Sequence, residues 1–225
     1  MERSLALVGV IGIIIQSLFI YVEHKKNYVL ALILKTTASL LFVFMGYKAS
    51  ALCSDTQTAR LIVIGLSLGA LGDFFLNLRF VFPKLGNVIF LVGIAVFLAG
   101  HIMYLIALIG LSHNVLVPAI AGVIIAALII CWIFSKIEAK LAFKIFGVFY
   151  LGAVTLMATY AVANFLSDTS SFNLLFAFGA VLFLISDIVL ILNTFTKQTK
   201  FSLRICNLML YYIGQLSIAF SMLYK

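Results

Sequence analysis

The sequence predicts an all-α, polytopic integral membrane bundle of about eight transmembrane helices, and three observations carry that prediction. Hydrophobic residues make up 65% of the 225-residue chain and charged residues only 10%, where a soluble domain carries roughly 25%. A larger core cannot absorb this deficit, because a water-soluble surface still has to be polar. The charges that remain fall between apolar runs, and each run reaches the roughly 20 residues needed to cross the hydrocarbon layer.

The runs are read in order as 5–22, 28–47, 60–79, 87–110, 115–134, 144–165, 172–193 and 203–224. The first stops at Glu23-His24-Lys25-Lys26 and lacks a small-residue cleavage site, so it reads as a retained helix and not a signal peptide. The second ends before Lys48, and the third lies between Arg60 and Arg79. Pro83-Lys84 precedes the fourth, and Ser112-His113-Asn114 separates it from the fifth. Lys136, Lys140 and Lys144 lead into the sixth. Asp168 and its neighbours precede the seventh, and Lys197 and Lys200 precede the eighth. With 15 Gly and 2 Pro, the spans suit continuous helices packed closely through small residues. No connection is long enough for a soluble domain. Residues 1–225 are therefore expected to form a single transmembrane domain, with any chemistry inside the bundle or at its mouths.

The net charge of +8 is topological. No basic stripe with interleaved aromatics is present, which argues against a nucleic-acid partner; the expected partners of these charges are membrane lipids. One end of the bundle carries Arg3, Lys48, Arg60 and Lys225. The other carries Lys25, Lys26, Arg79, Lys84, Lys136, Lys140, Lys144, Lys197, Lys200 and Arg204. The positive-inside rule makes the second end cytoplasmic, with both termini outside, as expected of a protein in a bacterial inner membrane. Cys53, Cys131 and Cys206 are too few and too far apart for a disulfide framework or a metal site. Gly93, Phe97 and His101 are spaced like Gly179, Phe183 and Asp187, and Gly65 precedes Asp73 by the same interval. The fourth and seventh spans run in opposite senses, so this faint spacing would suit an inverted repeat, although small-residue spacing also recurs by chance in apolar helices.

Four ionisable residues lie well inside spans: Lys35, Asp73, His101 and Asp187. Lys or Asp at a helix centre costs roughly 2.5–3.5 kcal/mol on insertion scales, so such residues face the interior, find partners and mark function. Tyr211, Tyr212 and Gln215 add polarity to the last span. Counted from the predicted cytoplasmic end, Lys35, Asp73 and Asp187 share one level about 10 Å deep, with Tyr212 and Gln215 slightly deeper and His101 deeper still. Two carboxylates desolvated in one cavity cannot both stay ionised, so a protonated acid stands beside an ionised base. That is the equipment of acid–base hydrolysis. Ser186 lacks the flanking glycines of a nucleophile elbow, and one intramembrane His is too few for zinc. Gly69-Ala70-Leu71-Gly72-Asp73 departs from the signature of intramembrane aspartyl proteases at Ala70. No metal or organic cofactor is expected.

Four blocks then carry a resemblance: Gly72-Asp73-Phe74-Phe75-Leu76; Phe97 through His101 to Tyr104; Gly179-Ala180 through Phe183 to Ser186-Asp187; and Tyr211-Tyr212-Ile213-Gly214-Gln215 to Ser221. In order and spacing they resemble the YhhN-like family of lysoplasmalogenases. The chain departs from that pattern at Thr36, where the family usually has Pro after the Lys, and at Gly214, where it tends to have Ala. The resemblance implies hydrolysis of the vinyl ether bond of a lysoplasmalogen to a fatty aldehyde and glycerophosphoethanolamine or glycerophosphocholine. Asp73 and Asp187 are then expected to be the catalytic acid–base pair, with their roles not yet distinguished. Lys35 is expected to bind the substrate phosphate, and His101, Tyr104, Tyr212 and Gln215 to orient head group or water. A proton-coupled transporter built on the same Asp, His and Lys residues is the competing expectation.

Overall fold

The computed structural model describes residues 2–225. Eight helices follow one another: α1 (Glu2–His24), α2 (Tyr28–Ser50), α3 (Thr56–Val81), α4 (Gly86–Gly110), α5 (Leu116–Phe134), α6 (Leu141–Ser167), α7 (Ser171–Phe195) and α8 (Phe201–Ser221). Single 3-10 turns occupy Pro83–Leu85 and Met222–Tyr224, and no strand occurs among the described residues. All eight helices are long and apolar enough to cross a membrane. The protein is an all-α, multi-pass membrane protein, as its composition predicts.

The helices match the predicted spans to within four residues at each end. Most run slightly longer, because polar caps lie outside the apolar runs. A bilayer offers no water to orphaned backbone groups, and the starts of α2, α3, α5 and α7 are closed by side chains. Asn27 accepts from the Leu30 amide, Asn114 from the Leu116 and Val117 amides, and Ser170 from the Asn173 amide. Asp55 accepts from both the hydroxyl and the amide of Thr58, and these bonds hold its carboxyl below the usual carboxylate range.

Packing divides the chain into two halves of four helices. Within each half consecutive helices touch: α1–α2–α3–α4 and α5–α6–α7–α8. Between the halves α2 packs on α8, and α6 packs on α4. Each helix of the first half therefore has a counterpart four helices later, and the closest glycine contacts repeat at an offset of 114 residues, the distance from Asp73 to Asp187. A Cβ on Gly65 would strike Tyr104, and one on Gly179 would strike Ile218. A Cβ on Gly100 would stand 3.1 Å from the Gly65 carbonyl oxygen, and one on Gly214 would stand 2.8 Å from that of Gly179. Both pairs obey the same offset. The repeat is thus parallel, relating α3 to α7 and α4 to α8, helices that run in the same sense. These contacts do not pair the fourth helix with the seventh: the Gly/Phe spacing common to α4 and α7 is the chance recurrence of small residues at packed helix faces, not an inverted relation.

Adding a methyl at Gly179 or Gly214 forces backbone apart at the α7–α8 crossing. Gly179→Ala and Gly214→Ala are each expected to cost about 1–3 kcal/mol. Gly152→Ala, where nothing lies within 4 Å, should be neutral or stabilising. Thermal unfolding of the three variants in detergent checks the contrast.

Candidate active site

The site begins with register on α2, α3, α7 and α8. Lys35 and Ser39 lie one turn apart on α2, Asp73 and Asn77 one turn apart on α3, and Arg204, Asn207 and Tyr211 form one stripe on α8. Such i, i+3 and i+4 spacings place side chains on one helix face. Lys35, the stripes of α3 and α8 and Asp187 of α7 line one cleft, which reaches the helix ends on the more basic side; Ser39 lies just behind Lys35, outside the lining. Asp73 and Asp187 each lie eight residues before their helix ends, Val81 and Phe195, or roughly 12 Å deep.

The two carboxyls are both buried, 4% and 3% exposed, but their partners differ. Asp73 Oδ2 lies 3.3 Å from Lys35 Nζ and accepts hydrogen bonds from the Ser39 hydroxyl (2.5 Å) and the Tyr211 hydroxyl (2.7 Å). Lys35 donates as well to Gln16 Oε1 at 3.3 Å, and its ammonium lies 4.4 Å from the Tyr211 ring centroid. Asp187 has no cation beside it among the described residues; its Oδ2 accepts from the Tyr150 hydroxyl at 2.8 Å. Tyr150 and Tyr211 line the same cleft. Phe183 packs edge-on against Tyr211, with ring centroids 5.1 Å apart.

The cleft is amphipathic across its width. Lys35, Asp73, Asn77, Arg79, Arg204 and Asn207 make a polar wall from α2, α3 and α8, whereas Phe134, Ile137, Phe143, Leu151, Leu190, Ile191 and Phe195 make an apolar one. Phe90, Phe143 and Phe195 meet in a three-ring cluster with centroids 5.5 to 6.2 Å apart. Among the described residues no group of three or more His, Cys, Asp or Glu side chains is placed to hold a metal.

The family assignment rests on the sequence over nearly this whole architecture: the YhhN family model matches residues 30–222. The chain belongs to the YhhN family. The match runs from the first turn of α2 to the end of α8, so it takes in every polar residue of the cleft. No curated protein and no solved structure was found to match the chain.

In this YhhN protein the residues singled out from sequence separate into two groups. Lys35, Asp73 and Asp187 line the cleft together. His101, Tyr104, Tyr212 and Gln215 lie behind it, outside its lining. Tyr104 donates to Gln215 Oε1 at 2.9 Å, joining α4 to α8 at the centre of the bundle. Tyr212 turns to the Ala38 carbonyl at 2.6 Å. His101 Nδ1 donates to the Phe97 carbonyl at 2.7 Å, since a carbonyl only accepts, and its Nε2 has no hydrogen-bond partner among the described residues. Of the adjacent tyrosines it is Tyr211 that lines the cleft. The sequence does not single out Tyr150 or Ser39, and it marks Tyr211 only as polarity in the last span and Arg79 and Arg204 only as orienting charges. The signal for Ser39 was its place one turn beyond Lys35; for Tyr211 and Arg204 it was their common stripe with Asn207.

Breaking a buried ion pair from one side leaves an uncompensated charge, a loss of about 3–5 kcal/mol. Lys35→Met is expected to lose stability on that scale, and Asp73→Asn in the same chain to restore most of it. A double-mutant cycle by thermal unfolding in detergent measures the coupling.

Proposed function

We propose that this YhhN-family protein is a membrane-embedded lysoplasmalogenase, an ether hydrolase releasing a fatty aldehyde and a glycerophosphoethanolamine or glycerophosphocholine. The observation that carries the reading is that two buried carboxyls with unlike partners share one amphipathic cleft. Membership of a family that includes lysoplasmalogenases supports it. The single-chain lipid lays its tail along the apolar wall and its glycerol backbone along the polar one.

The partners distribute the roles. Asp187, with a phenol and no cation beside it, holds the proton and is the acid. Asp73, neutralised by Lys35 and bonded by two hydroxyls, is the ionised base; donors of this kind favour the charged form of a carboxyl. Asp187 gives its proton to the β-carbon of the vinyl ether, and the π electrons form the new C–H bond. The positive charge spreads over the α-carbon and the ether oxygen, facing Asp73. Water adds to the α-carbon as Asp73 takes its proton, which yields a hemiacetal. Asp73 then returns that proton to the ether oxygen as the C–O bond breaks, and Asp187 takes the hydroxyl proton as the aldehyde forms. Both carboxyls finish as they began.

We place the more basic end of the bundle in the cytoplasm, so that the cleft opens inwards from a bacterial inner membrane and both termini lie outside; chain 1–225 acts as one transmembrane domain. The competing reading is a proton-coupled transporter, favoured by the parallel repeat, an arrangement that transporters share. Against it, α2, α3, α7 and α8 run unbroken through the site, whereas transporter sites typically use discontinuous helices.

Purified protein is expected to release aldehyde from lysoplasmalogen, and Asp187→Asn and Asp73→Asn each to lower kcat by at least about 100-fold. Full activity in either variant removes that residue from the mechanism. Movement of substrate across liposomes without product would favour transport. A reporter fused after Lys225 should be active only outside the cytoplasm, and cytoplasmic activity would reverse the orientation.

A further inference from the structure

Three cations line the polar wall of the cleft, and two of them are already engaged. Lys35 is 1% exposed and pinned between Asp73 and Gln16. Arg204 is clamped by both carboxylate oxygens of Glu23, with Nε–Oε2 at 3.0 Å and Nη2–Oε1 at 2.7 Å. Arg79 has no acidic partner among the described residues. Its guanidinium carbon lies 4.6 Å from the Phe80 ring centroid and 4.3 Å from that of Phe90, and its buried Nε makes no hydrogen bond there. Aromatic rings hold the plane of the guanidinium while its donors remain unspent.

A cation with a buried donor and no counter-charge calls for an anion, and the planar fork of arginine fits a phosphate through two parallel hydrogen bonds. The charges agree. Lys35 cancels Asp73 and Glu23 cancels Arg204, so Arg79 leaves one positive charge for the single negative charge of a phosphodiester. The spacing agrees as well. Arg79 lies six residues beyond Asp73 on α3, or roughly 9 Å towards the mouth. In an extended lysoplasmalogen, seven bonds separate the β-carbon of the vinyl ether from phosphorus, and at about 1.25 Å of advance per bond they span a similar length.

We propose that Arg79 anchors the phosphodiester of the substrate at the mouth of the cleft and so sets the register of the vinyl ether against Asp73 and Asp187, with Lys35 serving Asp73 instead. The proposal rests on the lysoplasmalogenase reading, and its test keeps the two apart by measuring binding separately from turnover. The probes are a saturated ether analogue, 1-O-alkyl-glycero-3-phosphoethanolamine, the corresponding 1-O-alkylglycerol without phosphate, and inorganic phosphate alone, titrated calorimetrically into the purified protein in detergent. The unaltered protein is expected to bind the phosphodiester lipid roughly 10- to 100-fold more tightly than the phosphate-free one, the scale of hydrogen bonds to a charged group. Arg79→Gln should abolish that preference, and Arg79→Lys should keep part of it. Lys84→Gln, at an exposed charge in the turn that follows α3 and outside the cleft, should keep all of it. Since no internal ion pair is broken, Arg79→Gln should also unfold no earlier than the unaltered protein. Retention of the full preference by folded Arg79→Gln, or no preference in the unaltered protein, overturns the anchor. Binding of inorganic phosphate that vanishes in Arg79→Gln, with no preference between the two lipids, assigns the site to free phosphate and overturns the lipid anchor. Preference lost in Arg79→Gln without any turnover of lysoplasmalogen upholds the anchor and refutes the enzyme. Turnover without preference does the reverse.

Discussion

Where α7 crosses α8, the Gly214 carbonyl oxygen lies 2.6 Å from the point where a Cβ on Gly179 would stand, and Gly65 and Gly100 bring α3 and α4 together in the same way. In a bilayer there is no hydrophobic drive between helices, so close approach of this kind supplies the attraction itself. It also sets the register. Asp187 lies two turns beyond Gly179 on α7, and Asp73 two turns beyond Gly65 on α3. The crossings therefore fix the depth of both carboxyls, and α2, α6 and α8 bring partners to a level already decided.

The two halves share a scaffold and differ in what they hang on it. The counterpart of Ser39 at the 114-residue offset is Ala153, and that of Tyr211 is Phe97. The counterpart of Lys35 is Phe149, which is exposed, while its neighbour Tyr150 turns inward to Asp187. Each substitution removes a charge or a donor from the second site. Equivalent positions thus hold one carboxyl in a salt bridge with two hydroxyl donors and another beside a lone phenol. A symmetric pair would have two identical acids; the divergence of the halves makes a donor and an acceptor from them.

The spans were legible because an apolar run long enough to cross a bilayer declares itself, and polar caps account for the few residues missed at each end. Lys35, Asp73 and Asp187 were legible because the hydrocarbon layer makes their presence costly. Tyr150 and Tyr211 were not, since tyrosine is unexceptional in a membrane helix and only rotation about the axis distinguishes Tyr211 from Tyr212. Arg79 and Arg204 were read as boundary charges fixing orientation, because a sequence does not show that two helix ends converge on one cleft. The direction of the repeat went astray in a different way. The spacing from Gly65 to Asp73 already matched that from Gly179 to Asp187, but contacts were needed to rank this match above the one from α4 to α7.

The parallel repeat has a topological consequence. A unit of four spans returns the chain to the side of the membrane from which it started, so a second copy can follow the first through a short link such as Ser112–Val115 without either copy being turned over. Units with an odd number of spans have no such freedom: their second copy must lie upside down, and its basic residues must move to the opposite loops. Here they stay where they were. Lys25 and Lys26 after α1 are answered by Lys136 and Lys140 after α5, and Arg79 and Lys84 around the end of α3 by Lys197 and Lys200 after α7. Even parity lets both halves obey one charge rule with one sequence plan.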